Sequence, residues 1–195
     1  GLKSMQKEEW HFFRLRPPNF PTRRLAGASL IWQQFVNEGI LVTILKIIEG
    51  LKDKHQQLTR ELENLFICQT GGYWTTHYRL EEKAPELVNE KTVTLVGKER
   101  AREIVINVIL PVIFAYAAEI EDSLLKNNML QLYKSYSKVT SNSIIKKMSE
   151  LLFGTTKITN KFINTAARQQ GLIHLYKLHC HRGECERCQD EWKKV

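Results

Sequence analysis

Apolar residues along the chain recur mostly at three- and four-residue steps, the spacing that gives one buried stripe on an α-helix. Leu25, Ala28, Ile31, Trp32 and Phe35 follow it between Thr22, a natural helix cap, and Gly39, a natural stop. That pattern predicts a helix from Thr22 to about Glu38, with those five side chains buried. A second helix is expected over Ile40 to about Leu51. A third runs from about Asp53 to Ile67, with Leu58, Leu62, Leu65 and Phe66 on one side. From Lys98 to Ala118 helix returns, and beyond Ile104 it is apolar on every face, so a central buried helix is expected. Pro111 should kink it and free the carbonyl of Asn107, whose own side chain could then satisfy the backbone. Further helices fit 120–136, 142–152 (capped by Ser141 or Asn142) and 160–178 (capped by Asn160).

Two stretches break the pattern. Arg14-Leu15-Arg16-Pro17-Pro18-Asn19-Phe20-Pro21 holds three prolines in five positions and cannot be helical. Residues 69–96 open with Gly71-Gly72-Tyr73-Trp74-Thr75-Thr76-His77-Tyr78, aromatic and glycine-rich, and close on Thr92–Val96, which suits a short strand. An ordered irregular connection of that length is usually functional or tightly packed. The expected fold is therefore all-α: one helical domain over 1–178, with this irregular aromatic connection, and a cysteine-rich tail over 179–195 packed on it.

The 195 residues are 43% hydrophobic and 26% charged, an ordinary globular composition. The longest uncharged run, Ile104 to Ala118, is shorter than the ~20 residues a membrane span needs, and no charged-then-apolar leader opens the sequence. A cytoplasmic protein without membrane contact is expected, and the first residues, with Met only at position 5, suggest a fragment.

Charge changes this picture. The net +8 is uneven: residues 1–35 hold six basic and two acidic side chains, 36–125 ten and fourteen, and 126–168 eight against Glu150 alone. Lys126, Lys134, Lys138, Lys146, Lys147, Lys157, Lys161 and Arg168 are interleaved with Tyr133 and Tyr136. Cations beside aromatic faces are what a nucleic-acid backbone with accessible bases would use. A solvated helical face, or docking onto an acidic protein domain, uses the same residues.

Four cysteines add a chemical clue. Cys180, Cys185 and Cys188 make a Cys-x4-Cys-x2-Cys pattern that brings three thiolates within reach of one ion. Without a secretion signal, metal binding is a better reading than a disulfide framework. Zinc would take its fourth ligand from Cys68, His174, His179 or His181. The same spacing with a distant fourth cysteine also suits an iron–sulfur cluster, for which Cys68 is pivotal. Such a site most often secures a short tail rather than catalysing a reaction. No phosphate-binding glycine loop, dinucleotide fingerprint or nucleophile elbow is present. His77, within Tyr73-Trp74-x-x-His77-Tyr78, could act as a general base, or could simply hydrogen-bond within a wedge of aromatics.

Four blocks in order carry a resemblance. They are Arg16-Pro17-Pro18-Asn19-Phe20-Pro21-x-Arg23-Arg24-Leu25-Ala26, Tyr73-Trp74-x-x-His77-Tyr78, Ile106-Asn107-x-x-x-Pro111-x-x-Phe114-Ala115-Tyr116, and Ala167-Arg168-Gln169-Gln170-Gly171-Leu172-Ile173. Together they resemble a bacterial family known only as domain of unknown function 2851, of whose longer members this chain would be the C-terminal part. The resemblance implies no activity. It makes Arg16, Asn19, Arg23, Arg24, Asn107, Gln169 and Gln170 candidates for a polar surface facing a ligand or a missing N-terminal half. Three readings follow as expectations. One is a helical binding module with a metal-bearing tail. Another is an enzyme subdomain in which Arg16, Arg23, Arg24 and His77 complete a site begun in that missing half. The third is a purely structural domain whose metal only secures the fold.

Overall fold

The structure, a computed structural model, describes residues 19–51, 54–80, 82–83, 91–154 and 161–183. The fold is predominantly α. Its helices are α1 (Pro21–Gln33), α2 (Ile40–Gly50), α3 (His55–Asn64), α4 (Lys98–Ile104), α5 (Leu110–Glu119), α6 (Ser123–Ser135), α7 (Ser143–Phe153) and α8 (Ala166–Leu178). Among the described residues, four short strands accompany them: β1 (Cys68–Thr70), β2 (His77–Arg79), β3 (Glu82–Lys83) and β4 (Val93–Val96). They pair antiparallel as β1 with β4 and β2 with β3, so the aromatic connection is bounded by two small sheets. The described residues group into two compact units, one from 1–50 and 61–101, the other from 51–60 and 102–195.

In the first unit, α1 turns a different face inward from the one its periodicity suggests. Leu25 and Trp32 are 64% and 65% exposed, while Arg23, Gly27 and, beyond the helix, Phe35 are buried. Gly27 explains the rotation. A Cβ there would stand 3.0 Å from Val96 Cγ2 and 3.3 Å from Leu95 Cβ, so α1 lies too close to β4 for a side chain unless Val96 and Leu95 give way by a few tenths of an ångström. Pro21 starts the helix at its first turn, where a missing N–H costs nothing, and Thr22 is inside the helix rather than its cap. Gly39 does take the left-handed conformation (φ +82°) that ends this segment and starts α2. Ile44 and Ile48 of α2, with Phe35, Phe66, Cys68 and Val93, are buried; the Phe35 and Phe66 rings lie 6.4 Å apart.

In the second unit, α5 packs on α6, α7 on α8, and α6 against α8. Val105, Ile106, Leu110, Ile113 and Ala117 of the long apolar helix are buried, as are Met129 and Leu132 of α6. Ile145, Met148, Ile163 and Leu172 form a second cluster between α7 and α8. Pro111 produces a widened turn rather than a sharp kink. Val105–Ile109 is π-helical, and the N–H of Leu110 donates to the carbonyl of Val105, five residues back. The helix is not buried all round, since Val108 and Val112 are 50% and 53% exposed. By length and composition alone, the 22 residues Lys98–Glu119 could cross a membrane, and 39% of their most apolar stretch is buried within the protein. A core helix of a soluble protein passes the same test. Side-chain caps hold the next three helices: Asp122 accepts from Leu125 N, Asn142 from Ile145 N, and Thr165 from Arg168 N. Thr165 therefore starts α8; Asn160 lies outside the described residues.

Candidate functional site

Two neighbourhoods gather the residues that the sequence marks, one in each unit. In the first, Arg23 extends from α1 to the aromatic turn. Its Nη1 donates to the carbonyl oxygens of Trp74 (3.0 Å) and His77 (2.8 Å), and its guanidinium lies 5.2 Å from the centre of the Tyr78 ring. It is 3% exposed, and burial pushes its pKa below the usual arginine value. Its Nε is buried without a hydrogen-bond partner. Thr22 Oγ1 donates to the Tyr78 carbonyl at 3.5 Å, and Arg79 lies 4.0 Å over the Phe20 ring. The start of α1 is thus tied to the turn through backbone carbonyls and rings.

His77 is held just as firmly. Its imidazole stacks on Tyr73 at 4.0 Å and 10°, and Nδ1 lies 2.8 Å from Thr76 Oγ1 and 3.0 Å from the Tyr73 carbonyl. Arg23 and His77 do meet, as an enzyme site would need. They meet through the His77 backbone, however, with the guanidinium occupied by carbonyls, which is the geometry of a clamp. Asn19 and Arg24 are exposed; Arg16 lies outside the described residues.

In the second unit, α8 binds the strap that follows α6. Gln169 is buried, and its side-chain amide accepts from Val139 N (2.8 Å) and donates to Val139 O (2.9 Å), as a neighbouring strand would. Ala166 N donates to the Tyr136 carbonyl at 2.9 Å. Gln170 Nε2 donates to Asn107 Oδ1 at 2.7 Å, so Asn107 serves α8 rather than its own helix backbone. Arg102 donates to the carbonyls of Ser137 (3.2 Å) and Lys138 (3.0 Å) and lies 5.9 Å from the centre of the Tyr136 ring.

Around this frame stand the basic residues. Lys126, Lys134, Lys138, Lys146, Lys147 and Lys161 are exposed, and so is Arg168, whose Nη1 donates to Phe162 O and Asn164 Oδ1. Lys147 lies 5.6 Å from the centre of the Tyr176 ring. The two tyrosines differ from expectation. Tyr136 ends α6 in extended conformation and is 2% exposed, so its ring belongs to the core and cannot stack on a base. Tyr133 is half-buried, and burial raises its hydroxyl pKa.

The cysteines fall in both units. Cys68 is buried in the first, where desolvation raises its thiol pKa. Cys180, half-buried in the second, opens a short 3-10 turn ended by Gly183 in the left-handed region (φ +75°). His179 is buried, and the His181 ring lies 5.9 Å from that of Tyr176. Among the described residues no three His, Cys, Asp or Glu side chains gather around one point. Cys185 and Cys188 lie outside the described residues.

A family model, described as a protein of unknown function, DUF2851, matches residues 1–143. The chain belongs to the DUF2851 family. Three of the four sequence blocks lie within the matched part; Ala167–Ile173 lies beyond it, together with the cysteine tail. No curated protein and no solved structure matches the chain. Within this DUF2851 chain, sequence reasoning missed Arg102. It sits on a short helix with acidic neighbours, Glu99 and Glu103, where an arginine gives no signal of its own. It also missed a groove between α5 and α6, because apolar helix positions look alike whether or not they leave a gap.

Proposed function

We propose that the protein is a binding module that holds a nucleic-acid backbone on the lysines of its second unit. One observation carries this reading. Of the net +8, the sequence segments of the second unit account for +7, with 17 basic against 10 acidic side chains, and those of the first for +1. Charge gathered so unevenly gives a potential of one sign, which attracts a polyanion and speeds its encounter. Lys134, Lys138, Lys146, Lys147 and Lys161 are exposed and would contact phosphates; Arg168, committed to Phe162 and Asn164, would position rather than read. Tyr133 is the aromatic left for a base, and with Tyr136 in the core the binding is expected to follow charge more than sequence.

The tail fits the same module as a fastening. Cys180, Cys185 and Cys188 would hold zinc, with His174, His179 or His181 of the same unit completing the set. Gly183 in the left-handed conformation gives the turn that such a loop needs. The clamp geometry of Arg23 and His77 favours this module over a catalytic subdomain. The test is charge reversal. Lys134→Glu with Lys146→Glu and Lys147→Glu should weaken binding to a labelled oligonucleotide at least tenfold without changing the circular dichroism; unchanged affinity would remove the proposal.

A further inference from the structure

The groove between α5 and α6 is lined by Leu110, Pro111, Phe114, Met129, Leu130 and Tyr133, encloses about 240 Å³, and presents almost only apolar surface. Two features give it direction. The Lys126 ammonium lies 5.5 Å from the centre of the Phe114 ring, so a cation stands beside the Phe114 end. Lys126, Leu130 and Tyr133 are four and three residues apart on α6, which puts them in one row on one helix face. Along that row a positive charge leads into an apolar trough. Val112 of α5 and Val108 of the π-helical turn before it are exposed and, with Pro111, continue the apolar surface along the helix.

We infer that this groove binds the hydrocarbon chain of an anionic amphiphile, a medium-chain carboxylate, with the chain between α5 and α6 and the carboxylate at Lys126. Size favours that occupant over a partner helix. The volume is of the order of the ~150 Å³ cavity that takes one benzene, so it fits a single chain, whereas a stable protein interface buries roughly 1,200 Å² or more. The charge favours an anion: Lys126 offers three donors and no acceptor, and no carboxylate is among the described residues that line the groove. Burial keeps the Tyr133 hydroxyl protonated, a neutral donor that a chain can pass without meeting a charge. The groove borders the proposed oligonucleotide surface at Tyr133; the two are told apart by different probes and by Lys126→Gln, which leaves Tyr133 and the phosphate-contacting lysines in place.

The experiment titrates the full chain with decanoate, decanol and decyltrimethylammonium by calorimetry, below the micelle concentration of each. Decanoate should bind saturably at one per chain. The ratio of decanoate to decanol affinity should fall about two- to fivefold in Lys126→Gln, the range expected for one well-formed exposed ion pair. Leu130→Trp should fill the groove and abolish binding of both, and Lys126→Gln, a surface change, keeps the test decisive even if that variant folds poorly. Absence of saturable decanoate binding, an unchanged ratio in Lys126→Gln, or equal affinity for decyltrimethylammonium would overturn the inference. So would an acidic amphipathic peptide that binds where decanoate does not, since the groove would then serve a partner helix. Oligonucleotide binding measured on the same samples reports the other surface, so either reading can fail alone.

Discussion

Replacing Arg23 with methionine keeps the length of the buried stem and removes the charge, which isolates what the clamp contributes. The wild-type side chain makes two charge-assisted hydrogen bonds from Nη1, to Trp74 O and His77 O, and faces the Tyr78 ring. Hydrogen bonds to charged groups contribute about 1.5–3 kcal/mol each, and a cation over an aromatic face about 0.5–2 kcal/mol. Against them stands the cost of holding a guanidinium at 3% exposure, with Nε unpartnered, several kcal/mol of lost hydration. The balance is a loss of about 2–4 kcal/mol in Arg23→Met, since the carbonyls lose their donor while only part of the desolvation cost is recovered. In urea denaturation that should lower the midpoint by roughly 1–2 M for a slope of about 2 kcal/mol/M. The His77 imidazole resonances, shifted by the Tyr73 stack, should move toward those of a free histidine as the turn loosens. A change under about 0.5 kcal/mol with an unmoved His77 would refute the clamp and return Arg23 to the candidates for ligand binding.

Other expectations follow from the same structure. Gly27→Ala should destabilise by about 1–3 kcal/mol in the same assay, because its methyl group meets Val96 and Leu95 at 3.0 and 3.3 Å. Gln169→Leu should cost about 2 kcal/mol and speed amide exchange at Val139, whose N–H loses its acceptor. Cys68, with its thiol pKa raised by burial, should react with iodoacetamide far more slowly than a free thiol at pH 8. Because the folded state holds that proton more tightly, the stability it contributes is complete below an unfolded-thiol pKa of about 8.5 and declines as pH rises beyond it. Metal analysis of anaerobically purified protein should find about one zinc per chain, and Cys185→Ser should release it; protein without zinc would remove the tail site.

Where most helices lie, periodicity and capping carry through to the structure. The Ile40 start of α2, the Asn142 cap of α7, and the continuity of Lys98 through Glu119 are local properties of local residues. The pairing of β1 with β4 was less visible, since Cys68–Thr70 is three residues long and its partner begins more than twenty residues later. No local preference specifies such a register. The inward face of α1 was misplaced for a related reason: Gly27 and Arg23 carry no hydrophobic signal, and it is the close approach of β4 and the carbonyls of the turn that put them inside. Tyr136 shows the limit for candidate sites. Next to a run of lysines it looks like a stacking surface, but as the first extended residue after α6 it turns inward beneath Arg102. Composition can locate charge along a chain; which aromatics stay outside is decided by tertiary packing.

Polyanion binding by the lysines of the second unit is best measured by fluorescence anisotropy of a labelled oligonucleotide, titrated with the full chain between 50 and 300 mM salt. Affinity should fall linearly on a log–log plot, with a slope of about −3 to −5 for four to six phosphate contacts. That slope should shrink by nearly 1 for each lysine reversed. No binding at 50 mM salt, or binding indifferent to salt, would contradict it.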